Sequence, residues 1–363
     1  MLPELAAQLI AVDSVNPTLA PSGGGEAAVA QVLADWLERA GLEVHVDDVA
    51  PGRPNVVGVA RGTGGGRTLL LNGHLDTVGL LEPDGGLAPR VDGGRLYGRG
   101  AYDMKAGLAA IASAGAECAK RGLRGDVIVA AVVDEEAASI GTEALLERWH
   151  ADAAIVAEPT DERLCTAHRG WLAFDVETPG RAAHGSRPDL GIDAIAKMGP
   201  VLVAIDALDR SLKTRPGHDL LGTGSVHASL IEGGQEYSSY PARCLLRGER
   251  RTIPGERRED VEAELRSLLG DSGGSIAFPF GRDPMEVSPD EEIVRAVQAQ
   301  TGSSEVVGAP FWTDAALFAE KGVPAILFGP RGDGAHAAVE WVDLASVDRC
   351  RDLYVAVAAE FCS

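Results

Sequence analysis

Positive charge, cysteine and long apolar runs are all scarce in this sequence. The 363 residues contain 33 Lys or Arg against 54 Asp or Glu, which gives a formal net charge of −21. Lys and Arg nowhere cluster as a phosphate backbone or an anionic membrane surface would require. No segment reaches the roughly 20 consecutive apolar residues of a membrane span. We therefore expect neither nucleic acid nor membrane as a partner.

The five cysteines are odd in number, dispersed and without a CxxC pair. This pattern is typical of reduced thiols in the cytosol and argues against a disulfide framework. Near the N-terminus, Leu2, Leu5, Leu9 and Ile10 fall on one helical face with no positively charged segment before them. They predict an amphipathic helix and not a signal peptide. The expected location is the cytoplasm.

The chain is long enough for two domains, and its 45% hydrophobic residues can form both cores. Up to residue 168, helical patterns alternate with short runs rich in Val and Leu, such as the apolar run 127–133 that follows an alanine-rich segment at 104–121. A helix leading into a strand that is apolar on both faces indicates an α/β layer with a mostly parallel sheet. The same pattern returns after residue 281.

A different pattern occupies residues 169–281. It consists of a strand, a helix, two strands and a helix, at 171–177, 191–208, 224–231, 243–250 and 257–269. This order predicts a small α+β, ferredoxin-like sandwich. We therefore expect an α/β catalytic domain in two parts, residues 1–168 and 282–363, interrupted by an inserted α+β domain.

Polar residues follow the predicted strands of the α/β domain. They are His74 and Asp76 after 68–71, Glu135 and Glu136 after 127–133, Glu158 after 152–157, and His336 in the loop after 325–328. A glycine-rich turn at 97–107 adds Asp103. Because the carboxyl ends of strands in an open α/β sheet form its ligand crevices, we expect these side chains to lie close together.

Each of these residues, taken alone, also has a structural explanation. His74 and His336 are compatible with ordinary strand-end and loop histidines. Asp103 is compatible with a helix N-cap, and Glu135 and Glu136 with a solvated helix N-terminus. Two imidazoles and three carboxylates among them suit two zinc-like ions that share one carboxylate and leave a position open for water. The set consists of His74, Asp103, Glu136, Glu158 and His336.

The chain resembles the two-zinc metallopeptidase family of aminoacylase, acetylornithine deacetylase, succinyl-diaminopimelate desuccinylase and carboxypeptidase G. The segments that carry the resemblance are, in order, GHLDTV, YGRGAYDMKAG, DEE, AEPT, GRAAHGSRPDLGIDAI, RRTIPGE, WTDAALF and GAHAAVE. The resemblance implies two Zn ions per subunit, with Co or Mn as alternatives. It implies that Asp103 bridges the ions, that His74 and Glu158 complete one site, and that Glu136 and His336 complete the other.

The same resemblance implies further roles in the catalytic domain. Asp76 would support the histidine ligand two residues before it, and Glu135 would be the proton shuttle. A cis peptide bond would follow Asp103. After the second histidine the family frequently has Asp before Glu, whereas this chain has Val339 before Glu340.

The inserted domain resembles the family's lid and dimerisation domain, which implies a homodimer. His184 matches a histidine that reaches across the dimer into the partner's active site. Arg251 matches an arginine that binds a substrate carboxylate, with Arg250 as the register alternative. Ser238 stands where the family commonly has an asparagine that faces the substrate, so the substrate preference is open.

The activity that the resemblance implies is hydrolysis of an amide bond in a small N-acyl amino acid, as in acetylornithine deacetylase. Two cations would lower the pKa of a shared water and polarise the amide carbonyl, with Glu135 as general base. A dipeptidase or carboxypeptidase acting on a dipeptide is the nearest alternative. A non-catalytic relative that binds a carrier protein is a second.

Overall fold

The computed structural model describes residues 2–80 and 86–363. The chain forms two compact units, the first made of Met1–Thr166, Val287–Val307 and Thr313–Ser363 and the second of Ala167–Glu286 and Gly308–Trp312. All five cysteines are buried and outside disulfides. Within the described ranges, none of the helices combines the length and the apolar character that a membrane span needs.

The helices agree with the predicted segments to within a few residues. Over the described residues they are α1 (Leu2–Ile10), α2 (Ala27–Arg39), α3 (Ala106–Cys118), α4 (Ile140–Arg148), α5 (Ala194–Leu212), α6 (Arg258–Ser267), α7 (Glu292–Thr301), α8 (Ala315–Glu320) and α9 (Leu344–Phe361). α5 begins later than its sequence pattern because Asp193 caps it, accepting a hydrogen bond from the Ala196 amide. The helix α4 was missed by the sequence analysis.

The strands are more numerous than predicted, and most of the predicted strands are a few residues longer in the structure. In chain order they are β1 (Glu43–Ala50), β2 (Arg53–Ala60), β3 (Leu69–His74), β4 (Arg90–Asp92), β5 (Arg95–Tyr97), β6 (Val127–Val132), β7 (Ala153–Val156), β8 (Cys165–His168), β9 (Gly170–Pro179), β10 (Ser225–Gly233), β11 (Arg243–Thr252), β12 (Ser275–Ala277), β13 (Gly281–Arg282), β14 (Met285–Glu286), β15 (Val307–Ala309), β16 (Ala325–Leu327), β17 (Gly332–Asp333) and β18 (Trp341–Asp343). Most of the additional strands have only two or three residues, too few to show a period of two.

The large sheet of the first unit has the order β1-β2-β6-β3-β7-β16, followed by β8. Its central strands β6, β3, β7 and β16 run parallel, and the strands outside them pair antiparallel. The residues of β3, β6 and β7 are all buried, as expected for strands covered on both faces. The predicted α/β class with a parallel sheet is confirmed.

Helix α3 packs against this sheet through an almost wholly buried surface rich in alanine. Its close approach requires glycine at one position, because a Cβ on Gly107 would lie 2.3 Å from the carbonyl oxygen of Ala157. The close fit fixes the turn that precedes α3. That turn carries Asp103, so the packing of α3 positions the candidate site.

The second unit contains an antiparallel sheet of order β10-β11-β9-β12, with β13 also paired to β9. Burial alternates along β9, and Leu172, Phe174 and Val176 enter a core that residues of α5 and α6 complete. The predicted order of strand, helix, two strands and helix is confirmed. β10 is an edge strand whose residues from His227 to Gly233 are exposed.

A small sheet of order β17-β18-β5-β4 is, besides α4, a part of the first unit that was not predicted from the sequence. β17 and β18 are joined by the loop that carries His336. β18 pairs with β5, which leads directly into the turn with Asp103. This sheet therefore connects the two segments that supply Asp103 and His336.

Candidate metal centre

The predicted metal ligands come from the carboxyl ends of neighbouring strands. His74 is the last residue of β3, Glu136 lies four residues after the end of β6, and Glu158 two residues after β7. Because these strands are parallel, their carboxyl ends meet at one edge of the sheet. Asp103 and His336 reach the same place from the turn before α3 and from the β17–β18 loop.

Asp103 lies between the two imidazoles. Its Oδ1 is 3.1 Å from His74 Nε2, and its Oδ2 is 3.2 Å from His336 Nε2. Glu158 Oε1 lies 3.7 Å from His74 Nε2, and Glu136 Oε2 lies 3.1 Å from His336 Nε2. Two groups of potential ligands result, each with its ligand atoms within 4.8 Å of one another, and both contain Asp103.

These donor groups fit divalent cations. The side chains of Glu136 and Glu158 are each only 6% exposed, so their charges are removed from water. Glu136 Oε1 is buried and has no hydrogen-bond partner among the described atoms. A buried carboxylate oxygen without a partner is costly unless a cation compensates it. His and carboxylate ligands in groups of three, with room for a further ligand, are what zinc-type sites use.

In the metal-free protein the carboxyl groups and imidazoles shift one another's pKa values. Hydrogen bonds to Asp103 and Glu136 raise the pKa of His336 to about 10. Burial raises the pKa of Glu135 and of Glu158 well above the ordinary value, and neighbouring carboxylates add to both shifts. Burial opposes ionisation of Asp103 as well, but hydrogen bonds from both histidines outweigh it and hold its pKa below the usual range.

The turn with Asp103 has a tightly specified backbone. Gly98 and Gly100 have φ values of 152° and 78°, which favour glycine, and the Asp103–Met104 peptide bond is cis, as the resemblance implied. The buried carboxylate of Glu340 accepts hydrogen bonds from the amides of Gly100, Tyr102 and Asp103 at 2.8 to 3.0 Å. Asp103 is not the N-cap of α3, which begins at Ala106 after Lys105.

Asp76 contacts His74 differently from the prediction. His74 Nδ1 lies 2.9 Å from the main-chain carbonyl oxygen of Asp76, whereas the nearer carboxylate oxygen is 3.6 Å away. The carboxylate instead accepts hydrogen bonds from the amides of Glu135 and Glu136, each at 3.2 Å. Both glutamates lie in a turn well before α4 begins at Ile140, so they are not at a helix N-terminus.

His184, Ser238 and Arg251 all belong to the second unit. The amide of Gly185 donates a hydrogen bond to the carbonyl oxygen of Ser238 at 2.6 Å. His184 and Ser238 are therefore neighbours in the fold. Arg251 is about one-third exposed and pairs with Glu249 on the same strand, Nε to Oε1 at 2.8 Å. The register alternative, Arg250, is fully buried.

The structure adds residues around the site that the sequence analysis missed. Asn16 contacts the carboxylates of Asp76 and Asp134, and Arg53 pairs with Asp134. The buried Asp314 accepts a hydrogen bond from Thr142 Oγ1 at 2.6 Å, and burial raises its pKa to about 6. Asn16 and Arg53 follow no periodic pattern, and only the motif WTDAALF pointed to the segment of Asp314.

A shared carboxylate between two imidazoles, at the carboxyl edge of an α/β sheet, is the arrangement of a metal-dependent hydrolase. Comparison with known proteins identifies the family. The model of peptidase family M20/M25/M40 matches residues 70–360. The chain belongs to this family and is a hydrolase of amide bonds.

Relatives and solved structures resemble the chain over nearly its whole length. It is 28% identical to acetylornithine deacetylase of Proteus mirabilis (strain HI4320), over 99% of this chain and 96% of that protein. Its fold is similar to aminopeptidase PepT from Bacillus cereus ATCC 10987, with a TM-score of 0.81, 19% identity, and coverage of 100% of this chain and 98% of that one. The YXEP protein of Bacillus subtilis, described as a dinuclear metal binding peptidase, has a TM-score of 0.70 and 19% identity over 99% and 98% of the two chains.

Proposed function

We propose that this protein is a two-metal deacylase that hydrolyses the amide bond of a small N-acyl amino acid. The observation that carries the proposal is the position of Asp103, whose two oxygens face His74 and His336 at 3.1 and 3.2 Å. His74, Asp103 and Glu158 would hold one ion, and Asp103, Glu136 and His336 the other. The ions would be zinc, with cobalt or manganese as alternatives. The dinuclear metal binding of the YXEP protein supports this arrangement.

The residues of the chain divide the chemistry among them. Bound cations would polarise the amide carbonyl and acidify water at the site. Glu135 is not among the two ligand groups, yet its Oε2 lies 4.0 Å from His74 Nε2. It is therefore free to take a proton from the attacking water and return it to the leaving amine. Asp76 holds the amides of Glu135 and Glu136 and so orients the base.

Arg251, in the second unit, supports a substrate with a free carboxylate, which N-acyl amino acids and dipeptides share. The partly exposed guanidinium of Arg251 can bind a carboxylate with two parallel hydrogen bonds, and Arg250 is too buried to do so. Ser238 would face the acyl or side-chain group. The similarity to acetylornithine deacetylase supports a deacylase over a dipeptidase, which remains the alternative substrate class.

The experiment that tests the proposed function is a substrate panel. Metal-free protein is loaded with Zn²⁺ and incubated with N-acetyl amino acids of acidic, basic and apolar type and with dipeptides of the same side chains. The proposal predicts release of free amine from N-acetyl amino acids at a higher kcat/KM than from dipeptides. Faster cleavage of dipeptides would favour the dipeptidase, and no release from any compound would favour a non-catalytic relative.

Zinc binding to the metal-free protein is expected to release protons at pH 7. His336, with a pKa of about 10, is protonated at that pH and must lose its proton to bind a metal. Apparent affinity should therefore rise between pH 6 and 8, by about tenfold per pH unit for each proton displaced. Calorimetry in buffers of different protonation enthalpy measures the number of protons released when zinc binds. Enthalpies that do not depend on the buffer would contradict the prediction.

We also propose that the protein works as a homodimer in which His184 serves the partner's site. His184 is exposed, with its Nδ1 2.8 Å from Ser186 Oγ. The edge strand β10 exposes Leu230 and Ile231, and α5 exposes Ile195 and Val203. An unpaired strand edge with exposed apolar side chains suits pairing with a second copy of this chain.

Mixing two inactive variants tests the shared site. Each site would use Glu135 of one subunit and His184 of the other. A dimer of one Glu135→Gln subunit and one His184→Ala subunit would therefore contain one site with both groups intact. Random exchange makes half of the dimers mixed, and activity should recover to about a quarter of the wild-type rate per chain. Mixing two batches of Glu135→Gln is the control. No recovery after verified subunit exchange would contradict sharing.

A further inference from the structure

The turn that carries Glu135 and Glu136 is connected to the N-terminal segment by buried hydrogen bonds. Asn16 is fully buried, and its Nδ2 donates to Asp76 Oδ2 at 2.7 Å and to Asp134 Oδ1 at 3.0 Å. Its Oδ1 accepts from the Thr18 amide at 2.9 Å. Both N–H groups and the carbonyl of this side chain therefore have partners, which fixes its orientation.

The two residues that Asn16 contacts hold the turn in different ways, Asp76 through its carboxylate and Asp134 through its main-chain carbonyl oxygen. Asp76 accepts from the amides of Glu135 and Glu136, which immediately follow Asp134. Asp134 has a φ of 70°, and its carbonyl oxygen accepts from the amides of the residues at 137–139 at 2.6 to 3.2 Å. A non-glycine residue keeps this conformation only where its surroundings enforce it. Asn16 links both supports of the turn.

The charges around Asn16 show why an amide is needed there. Asp134 is neutralised by Arg53, whose Nη1 lies 2.8 Å from its Oδ1, and Arg53 in turn pairs with the buried Glu26. Asp76 forms no ion pair with Lys or Arg among the described side chains, and its carboxylate lies 3.6 Å from the imidazole of His74. The neutral donor of Asn16 allows the carboxylates of Asp76 and Asp134 to share one side chain without a third charge.

We propose that Asn16 is a positioning residue for the general base and for the second metal site. It contacts neither the predicted ligands nor the base. It acts through Asp76 and Asp134 on the backbone of the turn, and this sets where the carboxylates of Glu135 and Glu136 project. The inference rests on the proposed function for its catalytic consequence, whereas its structural content concerns the turn alone.

The test uses Asn16→Leu, which has the same number and branching of side-chain heavy atoms but no donor, and Asn16→Ser, which keeps one small donor. Hydrogen exchange is followed by mass spectrometry on the metal-free proteins, for the peptide that contains residues 133–139. We expect exchange at Glu135 and Glu136 to be at least tenfold faster than in the wild type. In the zinc-loaded enzyme we expect kcat to fall about 10- to 100-fold, with KM changed less than twofold, and zinc affinity to fall.

Ser14→Ala is the matched control. Ser14 belongs to the same segment and is equally buried, and its Oγ donates to the Leu75 carbonyl oxygen at 2.8 Å without contacting either carboxylate. In the Ser14→Ala variant, hydrogen exchange at residues 133–139 and kcat should match the wild type even if the melting temperature falls. If Asn16→Leu does not fold, Asn16→Ser carries the test with a smaller expected change.

Two results would overturn the inference. One is unchanged exchange at residues 133–139 in the Asn16 variants, and the other is faster exchange spread evenly along the chain, as a general loss of stability would give. Full kcat in the Asn16 variants beside an inactive Glu135→Gln would reject the inference and leave the proposed function intact. Absence of amidase activity in the wild type would reject the proposed function, and the exchange data would still test the turn.

Discussion

Replacing Glu135 with glutamine is expected to lower kcat by roughly 10²- to 10⁴-fold, the usual contribution of a general base. Glutamine has nearly the same shape but cannot take a proton at neutral pH. Glu135 belongs to neither ligand group, so the variant should keep both metal ions. Amine release and metal content, measured on the same sample, check the prediction.

Glu147→Gln is a matched control for this experiment. Glu147 lies on α4, is exposed, and pairs with Lys321 at 2.8 Å. It has no role in the proposed chemistry. Its activity should equal that of the wild type. Two outcomes for Glu135→Gln would count against the assignment. Full turnover would remove Glu135 as the base, and loss of a metal ion would make it a ligand instead.

Replacing Asp103 with asparagine should empty both metal sites together. Both ligand groups contain Asp103, and each of its oxygens faces a different imidazole. The amide presents one weak oxygen ligand and no negative charge. If the ions supply several kcal/mol of transition-state stabilisation, at about 1.4 kcal/mol per factor of ten the loss of activity is on the order of 10³-fold or more. Metal content after dialysis against equimolar zinc measures the effect.

His336→Ala tests whether the loss of both ions is specific to Asp103, the ligand that both sites share. His336 belongs to only one ligand group, so its removal should leave one ion per chain. Asp92→Asn is the control for an acidic residue that is exposed and paired with Arg90. One ion retained in Asp103→Asn, or two in His336→Ala, would show that the ligands are divided differently.

The positions of the candidate ligands could be predicted because they follow apolar strands. The runs that became β6 and β7 are buried on both faces, which identifies a parallel sheet, and the polar residues directly after them then share one edge. His336 could be predicted only as a member of the set, because a single histidine in a loop follows no pattern of its own. The β17–β18 loop that presents it depends on strands of two and three residues.

The support of the site could not be predicted from the sequence. Asn16 contacts Asp134 across 118 residues of chain and Asp76 across 60. Such hydrogen bonds depend on how the strands and the N-terminal segment pack, and no local periodicity records them. The spacing of His74 and Asp76 in the sequence suggested a contact between their side chains, because it could not show what else lies near Asp76. The fold directs the Asp76 carboxylate mainly to the amides of Glu135 and Glu136.

Which of Arg250 and Arg251 is accessible was open in the sequence, and the burial pattern along β11 answers this question. Adjacent residues of a strand face opposite sides, so only one of Arg250 and Arg251 can be accessible. Arg250 faces the core, where it pairs with Glu256, and Arg251 faces away from it. A count of the alternation from Leu246 onward contains this information, but the doubled arginine obscured it.

The central claim, that two ions at one shared carboxylate carry out amide hydrolysis, is tested most directly by titration. Metal-free protein receives Zn²⁺ in steps, and the rate of amine release from an N-acetyl amino acid is recorded against the equivalents added. We predict that activity is absent without zinc, rises with zinc and saturates at two equivalents per chain, and that Glu135→Gln binds the same two equivalents without turnover. Full activity in the presence of excess chelator, or activity and binding that saturate at one equivalent or less, would contradict the account.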